Sequence, residues 1–132
     1  LLLMLTYIPK ELITDELAYQ LVDRLYDNSP ALETDKDEYV QLLQNGTYIL
    51  WGYSNALIVG KTRRNYERQL ILELDTATLA GEFDGDFKEA LNQIEYEAKL
   101  SGVDIVIIKG RDAWRKIHKD YDHYCTTIYK EL

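Results

Sequence analysis

The chain has 132 residues, 46% apolar and 29% charged, with a formal net charge of −8. That is the length of a single domain, 1–132, long enough to bury a core, and its charge argues against a general binder of nucleic acid or anionic membrane. One cysteine (Cys125) excludes a disulfide framework and a multi-cysteine zinc site, two histidines leave little for a histidine metal centre, and eleven tyrosines stand against two phenylalanines.

In chain order, Leu1, Leu2, Leu3 and Leu5 surround Met4, a candidate natural start, and Pro9 ends the apolar run. The run is too short for a membrane span and lacks the basic start of a signal peptide, so Leu3 to Ile8 reads as a buried first strand. Thr14 is placed to cap a helix carrying Leu17, Ala18, Leu21, Val22 and Leu25 at helical spacing, and Asn28-Ser29-Pro30 breaks it. Asp35 opens a second helix with Glu38 three positions on, Tyr39, Leu42 and Leu43 as its inner side and Gly46 as its stop. The period then changes. Thr47 to Trp51 and Ala56 to Val59 read as strands around a Gly52 to Asn55 turn, and Asn65 marks a second turn among Arg63, Arg64 and Arg68. Leu70, Leu72 and Leu74 alternate with Ile71, Glu73 and Asp75, predicting a strand with one buried face and completing an antiparallel meander.

Gly81 and Gly85 enclose an acidic loop carrying Glu82, Asp84 and Asp86. Asp86 and Glu89 are spaced as a capping box for a helix with Phe87, Ala90, Leu91, Ile94 and Ala98 on one face, stopped by Ser101-Gly102. Val103 to Ile108 reads as a central strand covered on both sides. A further helix is expected from Asp112, with Ala113, Trp114 and Ile117 inward, and a closing strand from Tyr124 to Lys130. The order β-α-α-β-β-β-α-β-α-β places the chain in the α/β or α+β class with a mixed sheet. The unit from Gln69 to Ile108 is then a right-handed parallel crossover.

Tight catalytic constellations are absent. Asp84 and Asp86 lack the ligand pattern of a calcium loop and read as solvated carboxylates favouring the helix start behind them. His118 and His123 flank Tyr121 as surface or edge residues, Cys125 reads as a small packed residue, and Trp114 as core. Charge is uneven: residues 1–60 carry −6, and residues 109–132 carry +2. Lys61, Arg63, Arg64 and Arg68 cluster near one turn, and Lys109, Arg111, Arg115, Lys116 and Lys119 follow the apolar strand. Such clusters suit a phosphate-bearing ligand or an acidic partner, and they also suit mixed-charge faces that only keep a protein soluble.

Leu43-Gln44-Asn45-Gly46 leading to Leu50-Trp51, Ile94 to Lys99 with Gly102 before an apolar strand, Gly110-Arg111-Asp112-Ala113-Trp114 and the closing Tyr129-Lys130-Glu131-Leu132 together resemble the GNAT N-acetyltransferase fold. More narrowly, the chain is similar to the divergent GNAT-like proteins encoded among tailed-phage structural genes. In active members of that family a glycine-rich loop after the fourth strand binds the pyrophosphate of acyl-CoA through its backbone N–H groups and a helix N-terminus. The resemblance puts Gly81 and Gly85 in that loop and makes Arg111 and Arg115 candidate cofactor contacts. It offers Glu73, read as outward on its strand, as general base and Tyr121 as a substitute general acid. The family's basic loop residue is missing here, three carboxylates stand where phosphates would approach, and the usual acid tyrosine falls near Lys116-Ile117.

These departures favour a degenerate scaffold: a phage structural or virion-associated protein acting through contacts with other virion or assembly proteins, without a cofactor, in the host cytoplasm during infection and in the virion. Tyr48, Tyr53 and Tyr66, expected exposed, would serve such an interface, with oligomeric state left open. The alternatives are an active N-acyltransferase using acetyl-CoA or another acyl-CoA, and a small acidic regulatory or inhibitory binding protein.

Overall fold

The structure, a computed structural model, describes residues 4–28, 34–79, 81, 83–108, 121, 122 and 130. It contains β1 (Thr6–Ile8), a 3-10 turn (Lys10–Leu12), α1 (Asp15–Asn28), α2 (Lys36–Gln44), β2 (Ile49–Tyr53), β3 (Ala56–Arg64), β4 (Leu70–Thr78), α3 (Phe87–Leu100) and β5 (Ile105–Ile108). The strands form one sheet in sequence order. Neighbours are antiparallel from β1 to β4, and β5 runs parallel to β4, as the intervening helix requires.

Local signals set the helix ends. Thr14 Oγ1 accepts from the Leu17 N–H at 3.2 Å. Asp35 accepts from the Glu38 N–H at 3.4 Å, and Gly46 follows α2 at φ +81°, where a Cβ would be strained. Each helix then buries its apolar stripe. Ala18, Leu21, Val22, Tyr39, Val40 and Leu43 pack with Leu50, Leu57 and Val59 on one side of the sheet. Ala90, Leu91, Ile94 and Ala98 of α3 pack with Trp51, Ile58, Leu72 and Leu74 on the other. The two-residue period of a strand sends Val59 to one layer and Ile58 to the other, giving a helix–sheet–helix sandwich. Burying each leucine or isoleucine contributes about 1.5–3 kcal/mol.

Several boundaries differ from expectation. Gly52 and Tyr53 belong to β2, so the turn is only Ser54-Asn55, with Ser54 at φ +53°. Leu42 lies only half-buried on α2, while Val40 takes its place in the core. β3 continues to Arg64 because β4 pairs with it along the whole length, from Ala56↔Thr78 to Arg64↔Leu70. β4 is buried on both faces rather than one, since Ile71 and Glu73 are nearly closed to solvent on one side and Leu72 and Leu74 pack with α3 on the other. β5 is half-buried, and the closing strand expected beside it falls outside the described residues. β1 is described as a short, largely exposed edge strand. Tyr66 is 91% exposed as expected, yet Tyr53 is buried at 2%, and Tyr48 is half-buried. The helix expected from Asp112, with Trp114 and His118, lies outside the described residues. So do His123 and Cys125, and the closing strand apart from Lys130.

Candidate functional site

Strand periodicity puts Glu73 and Asp75 on the α1–α2 face of β4, and the antiparallel register brings Lys61 and Arg63 of β3 beside them. Both carboxylates are matched diagonally. Arg63 Nε donates to Glu73 Oε1 at 3.1 Å, and Lys61 Nζ lies 2.9 Å from Asp75 Oδ2. The side chains of Lys61 and Asp75 are 16% and 18% exposed, so this pair sits in a medium much less screening than bulk water. Glu73 is therefore not the outward carboxylate expected from alternation. It is nearly buried, as are Ile71 on the same face and Leu72 and Leu74 on the other.

Helix α2 completes the cluster from above. The Tyr39 hydroxyl donates to Asp75 Oδ2 at 2.7 Å. Its ring meets Tyr48 edge-on at a centroid distance of 5.0 Å and Tyr26 at 6.3 Å. Lys61 Nζ stands 5.8 Å from the ring centroids of both Tyr39 and Tyr48, within cation–π range. Burial, and then the Asp75 charge, pushes the Tyr39 phenol well above its ordinary pKa, so it acts as a hydrogen-bond donor and not as a phenolate. Helical spacing marks Tyr39 only as an inner residue of α2, and the sequence marks Lys61 only as part of a basic cluster.

The second part of the site follows the end of β4, which continues to Thr78 paired with β3. The chain then enters the glycine-containing loop. Gly81 is exposed at φ +69° with open space around its Cβ position. Gly85 is required by close approach: a Cβ there would lie 2.8 Å from Phe83 Cζ and 3.0 Å from Tyr53 Cε1. The Asp84 N–H donates to Asn55 Oδ1 at 3.1 Å, and the Ser54 hydroxyl donates to the Asp84 carboxylate. Asp86 caps α3, its Oδ1 accepting from the N–H groups of Lys88 at 2.9 Å and Glu89 at 3.4 Å.

A phosphate at this helix end would need those amides, and it would meet the Asp86 charge in place of a cation. The described loop thus does not fit a pyrophosphate while Asp86 holds the helix end. Among the described residues no cluster of carboxylates, histidines or cysteines could hold a metal ion, and no helix is long and apolar enough to cross a membrane. Tyr121 packs, half-buried, against the α3 layer of the core, while Glu73 lies in the opposite layer. Arg111 and Arg115 lie outside the described residues.

No protein-family model matches the chain, and no curated protein matches it in sequence. Solved structures match it over nearly its whole length. A predicted acetyltransferase with acetyl-CoA from Clostridium acetobutylicum aligns at TM-score 0.65 and 16% identity, covering 99% of this chain and 96% of that one. A GNAT family acetyltransferase from Staphylococcus aureus aligns at 0.63 and 14%, covering 100% of both. An aminoglycoside acetyltransferase from an uncultured soil metagenomic sample, in complex with sisomicin, aligns at 0.67 and 10%, covering 98% and 96%. The chain has the GNAT acetyltransferase fold, with a mixed five-stranded sheet and three α-helices among the described residues. At these identities the likeness establishes fold alone.

Proposed function

We propose that the protein is an N-acyltransferase that moves an acyl group from an acyl-CoA to an amine. The observation that carries the reading is the pair of carboxylates on one face of β4, Glu73 held by Arg63 and Asp75 held by Lys61 and Tyr39, in a fold shared along its length with acetyltransferases. Acetyl-CoA would supply the activated acyl group. Glu73 is the carboxylate suited to take the proton of an incoming ammonium, because Arg63, which holds it, is half exposed and can yield to a substrate. Asp75 is committed to Lys61 and Tyr39, so its work is to hold α2 and β3 in register around Glu73. The family likeness suggests Gly81, Gly85, Arg111 and Arg115 as cofactor contacts, and on this reading the pyrophosphate takes the α3 amides only where Asp86 gives them up.

A second reading has its own observation. Asp86 occupies the amides that the family uses for phosphate, which favours a fold kept for protein contacts, as in a virion or assembly protein of a tailed phage. Calorimetric titration with acetyl-CoA, and with CoA for comparison, separates the two. Micromolar binding weakened by charge reversal at Arg111 or Arg115 supports the enzyme. Silence up to millimolar ligand removes it and leaves the contact role, which fixed stoichiometry in purified particles would support.

A further inference from the structure

β3 extends beyond its neighbour on one side. Its last pair with β2 is Ile49↔Gly60, because Tyr48 turns toward α2, donating its N–H to the Leu42 carbonyl at 2.9 Å. Lys61–Arg64 therefore pair with β4 alone among the described residues. The Asn65 N–H donates to the Gln69 carbonyl at 3.2 Å. By the alternation of an antiparallel ladder, the main-chain groups of Lys61 and Arg63 then face β4, and those of Thr62 and Arg64 face outward. Thr62, Arg63 and Arg64 are exposed. This edge also carries one of the two basic clusters of a chain with net charge −8. Lys61 and Arg63 are matched by Asp75 and Glu73, whereas neither Arg64 nor Arg68 joins an ion pair among the described residues, with Glu67 the one carboxylate between them in sequence. Arg64 reaches the Arg68 carbonyl at 2.7 Å, which holds its guanidinium beside the edge.

We propose that the outer edge of β3 over Lys61–Arg64 receives an acidic segment of another protein, bound in extended form as an added strand. The outward N–H and C=O groups of Thr62 and Arg64 supply the main-chain pairing. Carboxylates on the incoming strand would lie across from the arginines, and the same arginines would repel basic strands, including a second copy of this edge.

The test uses the unmodified chain with a fluorescein-labelled octapeptide of alternating glutamate and threonine. A lysine–threonine octapeptide and a labelled single-stranded DNA dodecamer serve as comparisons. The expected result is saturable anisotropy for the acidic peptide alone, weakening about tenfold between ~50 and ~300 mM salt. Hydrogen exchange should slow at the Thr62 and Arg64 amides on saturation. Arg64→Glu with Arg68→Glu should weaken binding by about tenfold or more. The proposal is overturned by no binding at millimolar peptide or by binding that leaves both amides exchanging at their free rate. DNA binding as tight as the peptide's overturns it too, since that would mark a general anion surface.

Discussion

The Tyr39 hydroxyl lies 2.7 Å from Oδ2 of Asp75, the same oxygen that holds the Lys61 ammonium at 2.9 Å. One carboxylate oxygen thus ties α2 to both central strands. Tyr39→Phe should cost about 1–3 kcal/mol by leaving that oxygen with one partner fewer. Asp75→Asn should cost more, because it strands a largely buried ammonium against two tyrosine rings. Urea unfolding of the two variants checks the order.

The same tyrosine sets an alkaline limit. Its phenol is held above the ordinary value near 10 by burial and by Asp75. Above about pH 10 the unfolded chain releases the Tyr39 proton while the folded chain keeps it, so stability falls as pH rises. The contribution of this one group to the slope approaches about 1.4 kcal/mol per pH unit. Comparing unfolding free energy from pH 9 to 11 in the parent and in Tyr39→Phe should show a shallower fall in the variant.

Asp86 separates helix capping from phosphate exclusion. Asp86→Ala should destabilise the fold by about 1 kcal/mol by uncapping α3, whereas Asp86→Ser keeps a capping oxygen and costs a fraction of that. Both remove a negative charge from the place where phosphates would approach. On the acyltransferase reading both tighten acetyl-CoA, read by titration; unchanged affinity in both would detach the cofactor from this loop.

Glu73→Gln tests the proposed base. With acetyl-CoA and a small amine, kcat should fall by roughly 10²–10⁴-fold with acetyl-CoA affinity unchanged. A fall in affinity equal to the fall in turnover would assign Glu73 to structure instead.

Gly60 is a packing test independent of function. A Cβ there would lie 2.7 Å from Trp51 Cζ3 and 3.0 Å from Leu72 Cδ1. Gly60→Ala should therefore cost about 1–3 kcal/mol, read by thermal or urea unfolding.

What the sequence by itself determined is local. Thr14, Asp35 and Asp86 announce helix starts, Gly46 follows a helix as its C′ glycine, and the 3.6-residue spacing of Ala90, Leu91, Ile94 and Ala98 names the buried side of α3. Each depends only on neighbours within a turn or two. The strand–helix–strand order from Gln69 to Ile108 implied the parallel β4–α3–β5 crossover as well. Only the tertiary structure decided the environment of β4. Alternation shows that Glu73 and Leu72 face opposite ways, but cannot show that both are buried. For the same reason Tyr53 reads as an exposed aromatic until the Gly85 loop closes over it. Tyr39, Lys61 and Asp75 are 36 residues apart at the extremes, and no local pattern links them. Strand register brings Lys61 and Asp75 together, the packing of α2 adds Tyr39, and the low polarity between the layers gives their contacts weight.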